Sequence, residues 1–162
     1  MNFVQKIKLL SLLLAIVLLP QTSKGQSIGN DWFNLETSVT GDFMKNLTGG
    51  ISTDFTYIGM EEAALTIDLE AANLWKGGEL FLHGLNSHGR TPSSEIIGDF
   101  QVASNIESGD YVGFYEYYLL QNFGNFSFLI GQHDLNSEFV GTEYGGTFIN
   151  SSFGISPTIS LN

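Results

Sequence analysis

The sequence predicts an all-β protein of antiparallel strands, and three observations carry the prediction. Apolar and polar residues alternate with a period of two rather than 3.6, Gly and aromatic residues are abundant, and connections alternate between short and long.

The first 25 residues are read as a leader and set apart from the fold. Lys6 and Lys8 precede an apolar run from Leu9 to Leu19, broken only by Ser11, and Pro20 ends it. Ser23-Lys24-Gly25 then offers small residues at the −3 and −1 positions of a cleavage site. The run is 11 residues long, against about 20 needed for a spanning helix, so a removable signal peptide is expected over an uncleaved anchor. The domain that remains is 26–162. The chain has no Cys, which rules out a disulfide-stapled domain and a cysteine-linked lipid anchor. After cleavage, Lys45, Lys76 and Arg90 would be the only fixed cations against all 17 acidic residues, a formal charge of −14. Such a chain repels phosphate backbones, so no nucleic-acid partner is expected.

Six strands are expected in order. In Leu35–Phe43 the odd positions Leu35, Thr37, Val39 and Phe43 oppose Glu36, Ser38, Thr40 and Asp42. In Ile51–Tyr57, Phe55 and Tyr57 oppose Asp54 and Thr56, and in Ala63–Trp75, Leu65 and Ile67 oppose Thr66, Asp68 and Glu70. Glu79–Asn86, Tyr111–Asn122 and Phe126–His133 follow, with weaker alternation because Phe81, Leu85, Phe114 and Leu129 fall on the polar face. Lys76-Gly77-Gly78 and Gly124-Asn125 read as tight turns. Ser87–Asp110 and the stretch after His133 read as long loops, while the Gly59–Glu62 link breaks the alternation by being short.

Alternation alone admits two architectures. A soluble β-sandwich buries the apolar face; a transmembrane barrel turns it to lipid and wets the other face. Trp75, Tyr111, Tyr115, Tyr117, Phe123 and Phe126 lie near strand ends, where interfacial aromatic girdles use them, and the loop lengths also suit a barrel. Both architectures stay open on these grounds.

Motifs narrow the choice. Leu74-Trp75-Lys76-Gly77-Gly78-Glu79-Leu80-Phe81, followed by His88-Gly89, resembles the second-hairpin region of the OprB-type carbohydrate-selective porins. Gly98 to Glu107, Tyr115 to Leu119, Gly131 to Phe139 and, most specifically, Glu143 to Ile155 are similar to later segments of that family, in its order, across roughly 47–157. The resemblance implies the N-terminal part of an antiparallel transmembrane β-barrel, with about six strands here and sixteen in a complete member. It also implies passive or facilitated diffusion of carbohydrates across the Gram-negative outer membrane. Six strands in an open sheet leave two unpaired edges, and the chain stops at Ser160-Leu161-Asn162 without a terminal aromatic residue. A truncated or split reading frame, or a fragmentary sequence, is therefore expected.

A sugar passage needs hydrogen-bonding groups and flat apolar surfaces, and its selectivity comes from width, polar groups and charge at a constriction. By parity the carboxylates lining it are Glu36, Asp42, Asp54, Asp68, Glu70 and Glu116. The preferred constriction is the Gly-rich loop carrying Asp134, Asn136, Glu138, Glu143, Tyr144 and Asn150, with Gly145-Gly146 allowing a sharp turn. Arg90 adds a cation near His88. Any one of these residues can instead be a solvated wall or loop residue. His83 and His88 are five apart, hence on opposite faces of a strand, and no catalytic or phosphate-binding motif is present. Neither an enzyme, a metal nor a cofactor is expected. The expected partners are mono- or oligosaccharides and outer-membrane lipid, with a homotrimer left open for a full-length form. The competing function is a secreted or surface β-sandwich that binds glycans without transporting them.

Overall fold

The computed structural model describes residues 25–139, 144–145 and 148–150. Nearly all of the expected leader, Glu143, Gly146 and the end of the closing motif lie outside the described residues.

One six-stranded antiparallel sheet is built in simple sequence order. Its strands are β1 (Gln26–Gly29), β2 (Phe33–Lys45), β3 (Phe55–Asp68), β4 (Gly78–Gly89), β5 (Tyr111–Phe123) and β6 (Phe126–Gln132). A single π-turn (Ser93–Ile97) interrupts the connection before β5, and a short helix, α1 (Leu135–Phe139), follows β6. At one end the strands are joined through 30–32, 69–77 and 124–125. At 30–32, Asn30 Oδ1 accepts from the backbone N–H groups of Trp32 and Phe33, an Asx-type turn that starts β2. At 69–77, Asp68 Oδ1 accepts from the N–H groups of Glu70 and Ala71, and Glu70 Oε2 accepts from that of Gly77. Gly124, at φ 63°, makes the two-residue turn between β5 and β6. At the other end lie 46–54, no longer than 69–77, and the much longer 90–110.

The count of six strands agrees with the sequence reading, but the division differs. Ile51–Tyr57 and Ala63–Trp75 are not two strands; they are the single strand β3, paired without interruption to β2 from Phe55 to Ile67. Gly59–Glu62 is therefore mid-strand. Gly59 misled the reading because it looks like a breaker. In the sheet its missing side chain makes room for the His88 ring, which a Cβ there would strike. Residues 69–75 are turn, β4 extends to Gly89, and the sixth strand is the short β1, too brief to show alternation. With the Gly59–Glu62 link gone, the connections run 3, 9, 9, 21 and 2 residues in order, so the expected strict alternation of short and long does not hold.

Register assigns the faces. One face carries Leu35, Val39, Phe43, Tyr57, Leu65, Ile67, Leu80, Leu82, Leu119, Phe128 and Ile130. No second layer covers it among the described residues, and Val39, Phe43 and Ile130 are 60–63 % exposed. Such an extended apolar face suits contact with hydrocarbon. Aromatic rows border it. Trp32, Trp75, Phe123 and Phe126 are exposed at the short-turn end. Toward the loop end Phe43 packs on Tyr57 at 4.9 Å and on Phe55 at 6.3 Å. Tyr111 and Tyr115, expected in such a girdle, face the other way.

They do so because of a bulge. The partner of His83 is Glu116, but that of Gly84 is Phe114, so Tyr115 is an extra residue in β5. One inserted residue inverts parity before it. Phe114, read from sequence as an anomaly on the polar face, thus belongs to the apolar face, whereas Phe81, Leu85 and Leu129 do sit on the polar one.

Candidate functional site

The polar face is where chemistry gathers. A row of side chains crosses it from strand to strand. Ser38 Oγ on β2 donates to Glu62 Oε2 on β3 at 2.9 Å. The other Glu62 oxygen lies 3.5 Å from His83 Nε2 on β4, and His83 Nδ1 lies 3.3 Å from Glu116 Oε2 on β5. Glu116 Oε1 lies 2.8 Å from His133 Nδ1 and accepts from the N–H of Asp134 at 2.9 Å. His133 Nε2 reaches Glu138 Oε1 on α1 at 3.6 Å. Carboxylates and imidazoles alternate along the row, each ring lying between two carboxylates.

Aromatic rings flank it. Phe81 and Tyr118, directly paired across β4 and β5, stack with centroids 4.9 Å apart and planes 26° apart. Tyr118 also meets His133 edge-on at 5.1 Å, and the bulge residue Tyr115 meets His83 edge-on at 5.5 Å. Tyr115 Oη donates to Asp134 Oδ2 at 2.9 Å, fixing the start of the loop that leads to α1. Flat rings beside charged acceptors suit a sugar, whose C–H faces rest on aromatics while its hydroxyls seek oxygen.

The 90–110 loop folds onto this same face. Ser104 Oγ donates to Asp42 Oδ2 at 2.6 Å, and both residues are buried. Ile58 of β3, the strand partner of Asp42, is buried, as are Ile96 of the π-turn and Ile106 of the loop. The Asn105 backbone N–H donates to the Ile149 carbonyl, and its side chain to that of Phe148, at 2.8 and 2.7 Å. Both long loops therefore converge over the polar face. The sequence reading favoured the later loop as the constriction; in the structure the earlier loop carries the buried anchors.

The sequence-selected residues divide accordingly. Glu116, Asp134, Asn136 and Glu138 lie together at the row's far end, with Asn136 donating to Asp134. Tyr144 and Asn150 belong to the described part of the later loop, and Glu143 lies outside it. Glu36 and Asp42 share the polar face. Asp68 and Glu70 are away from the row, engaged in the 69–77 turn at the short-turn end. Glu62 and His83 were missed as sugar-facing residues, Glu62 because it fell inside the supposed link. Parity applied to one long strand would have found it. His83 and His88 do lie on opposite faces, the latter 3.0 Å from Glu61 on the apolar side.

Arg90 sits at the loop end, between Asp54 Oδ2 and Glu95 Oε2, each at 2.8 Å. The Arg90 hydrogen bond, then that from the Phe55 N–H, holds Asp54 below its ordinary carboxylate range. Thr91, then Arg90, does the same for Glu95. Both folded values are depressed, so these contacts contribute fully above the ordinary values of 3.8 and 4.5 and are lost as pH falls through the lowered ones. The protection factors of the Ile51 and Ser52 amides, which bond to the Ile96 carbonyl, should fall as pH drops below about 4.5. Arg90→Gln should remove most of that dependence; an identical acid limb in the variant would show that the pairing does not hold the loop.

A family model described as carbohydrate-selective porin, OprB family, matches residues 52–162, more than half of the chain. The chain belongs to the OprB family of carbohydrate-selective porins. The match takes in the Glu62–Glu138 row, the stacked pair and both long loops. OprB is a channel family of the outer membrane, not an enzyme family, and the sheet with its bare apolar face is part of such a β-barrel. No curated protein and no solved structure gives a significant match.

Proposed function

We propose that the polar face lines a water-filled passage through the outer membrane by which carbohydrates cross passively or by facilitated diffusion. The observation that carries this reading is the two-faced sheet itself. A bare apolar surface lies outward, while the Ser38–Glu138 row, the Phe81–Tyr118 stack and both long loops lie on the opposite side. The 90–110 loop, pinned by Ser104, narrows the passage, and the Asp134–Asn150 loop completes the narrowing. Glu138, with its side chain 65 % exposed, and Tyr144 are polar groups of that loop open to solute, and Glu143 is proposed as a further one. Export by the leader peptide and residence in a Gram-negative envelope belong to the same reading.

The row and the wall around it offer carboxylates, while Arg90 is engaged by two acids. Neutral saccharides are therefore the preferred cargo. In liposome swelling with the membrane-inserted protein, a neutral hexose should enter faster than a hexuronate of the same size. A single carboxylate at about 4 Å opposes an anion by about 1 kcal/mol in water, roughly a fivefold difference in rate. Glu138→Gln should narrow that difference. Neutral sugar entry no faster than in protein-free liposomes would overturn the proposal.

A further inference from the structure

The row ends on a histidine whose two ring nitrogens both face carboxylates. His133 Nδ1 lies 2.8 Å from Glu116 Oε1 on β5, and His133 Nε2 lies 3.6 Å from Glu138 Oε1 on α1. His83 repeats the arrangement on β4, with Nδ1 3.3 Å from Glu116 Oε2 and Nε2 3.5 Å from Glu62 Oε1. A neutral imidazole has one N–H and one bare lone pair, so it satisfies one carboxylate and turns a lone pair to the other. The imidazolium, with two N–H donors, satisfies both. The arrangement is thus complementary to the protonated ring.

The ring is aimed and the helix is not otherwise held. Tyr118 meets the His133 ring edge-on at 5.1 Å. The Asp134 N–H donates to Glu116 Oε1, and Tyr115 Oη to Asp134 Oδ2, each at 2.9 Å, so the chain leaves the wall at a fixed point. Beyond that point α1 buries no residue, and its apolar side chains Leu135 and Phe139 are exposed. Apolar packing therefore does not hold α1 against the wall, which gives the His133–Glu138 pair its weight. The titratable groups around the pair are Glu62 of β3, Glu79 of β4, Tyr115 and Tyr118 of β5, and Asp134. Among these side-chain types and histidine, histidine is the one whose ordinary charge change falls between pH 5 and 8. The acid-sensitive Asp54–Arg90–Glu95 cluster lies apart, at the loop end.

From this geometry we propose that His133 and Glu138 form a proton-operated latch that sets how far α1 narrows the passage. With the ring protonated, both nitrogens donate, α1 is drawn to the wall and the passage is narrow. With the ring neutral, Glu138 faces a bare lone pair and α1 is released. Docking takes up a proton, so acid favours the narrow form and alkali the wide one. His83 is a positioning residue, because it holds the second oxygen of the same Glu116. The inference rests on the transport reading and adds regulation to it.

The test is swelling of liposomes that carry the membrane-inserted protein, with D-glucose and with the larger neutral sugar raffinose, at pH 5.5 and 8.0. Neutral solutes report width and do not feel the charge that protonation adds. In wild type the rate of raffinose entry relative to glucose should be about fivefold higher at pH 8.0, the upper range for a largely exposed ion pair. Glu138→Ala, a change at an exposed position, should give the pH 8.0 ratio at both pH values. His133→Phe, which keeps a ring against Tyr118 but no nitrogen, should do the same. A wild-type ratio that is unchanged, or lower, at pH 8.0 would overturn the latch while leaving the porin reading intact. So would a pH response that survives in either variant. Absence of glucose entry at both pH values would overturn the porin reading and the latch with it.

Discussion

Leu82→Arg is expected to abolish stable insertion into lipid, and Leu85→Arg, three residues along the same strand, to be tolerated. Leu82 pairs with Leu65 and Tyr117 on the apolar face, between the aromatic row at Trp75 and the one at Tyr57. An arginine there meets hydrocarbon, at a cost of about 2–4 kcal/mol near the middle of the bilayer. That corresponds to roughly 30- to 1000-fold in the insertion equilibrium. Leu85 pairs with Glu62 and Gly113 on the polar face, where an arginine meets water and a carboxylate. Folding into vesicles, followed by gel mobility with and without heating, measures both variants. Equal loss in the two would mean that the faces are wrongly assigned. Equal tolerance would mean that the apolar face does not meet lipid.

Asp42→Ala should open the passage. The Ser104 bond is 2.6 Å long, has a carboxylate acceptor and is shielded from water, with Ser104 fully buried and Asp42 5 % exposed. Bonds to charged groups contribute about 1.5–3 kcal/mol. Its loss should shift the docked-to-undocked balance of the 90–110 loop by roughly ten- to a hundredfold. Single-channel conductance should rise, amide exchange across 99–107 should speed up, and discrimination among sugars by size should fade. Asp42→Asn keeps an acceptor without the charge and should fall between wild type and alanine. The burial of Ile58, Ile96 and Ile106 sets the limit of the effect, because it persists in both variants. Conductance and exchange both unchanged in Asp42→Ala would show that this burial alone holds the loop.

Much of this molecule is legible in the residues themselves. The alternation of Leu65 and Ile67 with Thr66 and Asp68 needs no partner strand to be read, because successive side chains on an extended chain must point to opposite sides. The motifs from Leu74 to Phe81 and from Gly131 to Phe139 point to the porin family by themselves. The glycines at 77 and 124 mark turns because their positive φ is a local property.

Other features depend on pairing and could not be read that way. Whether Gly59 ends a strand or lies within one depends on the neighbour, here His88, that fills its space. Parity says which residues share a face only until a bulge intervenes. The bulge at Tyr115 exists only relative to β4, and it sends Phe114 to the apolar face and Tyr115 to the row. Glu62, His83, Glu116 and His133 are scattered over 71 residues and become neighbours through register alone. The side on which the 90–110 loop lies was likewise decided by a long-range contact, Ser104 with Asp42. The sequence by itself determined that there are two faces and which residue types each carries, because that follows from backbone geometry. Only tertiary structure decided what stands beside what, because register and loop docking are set by partners distant in the chain.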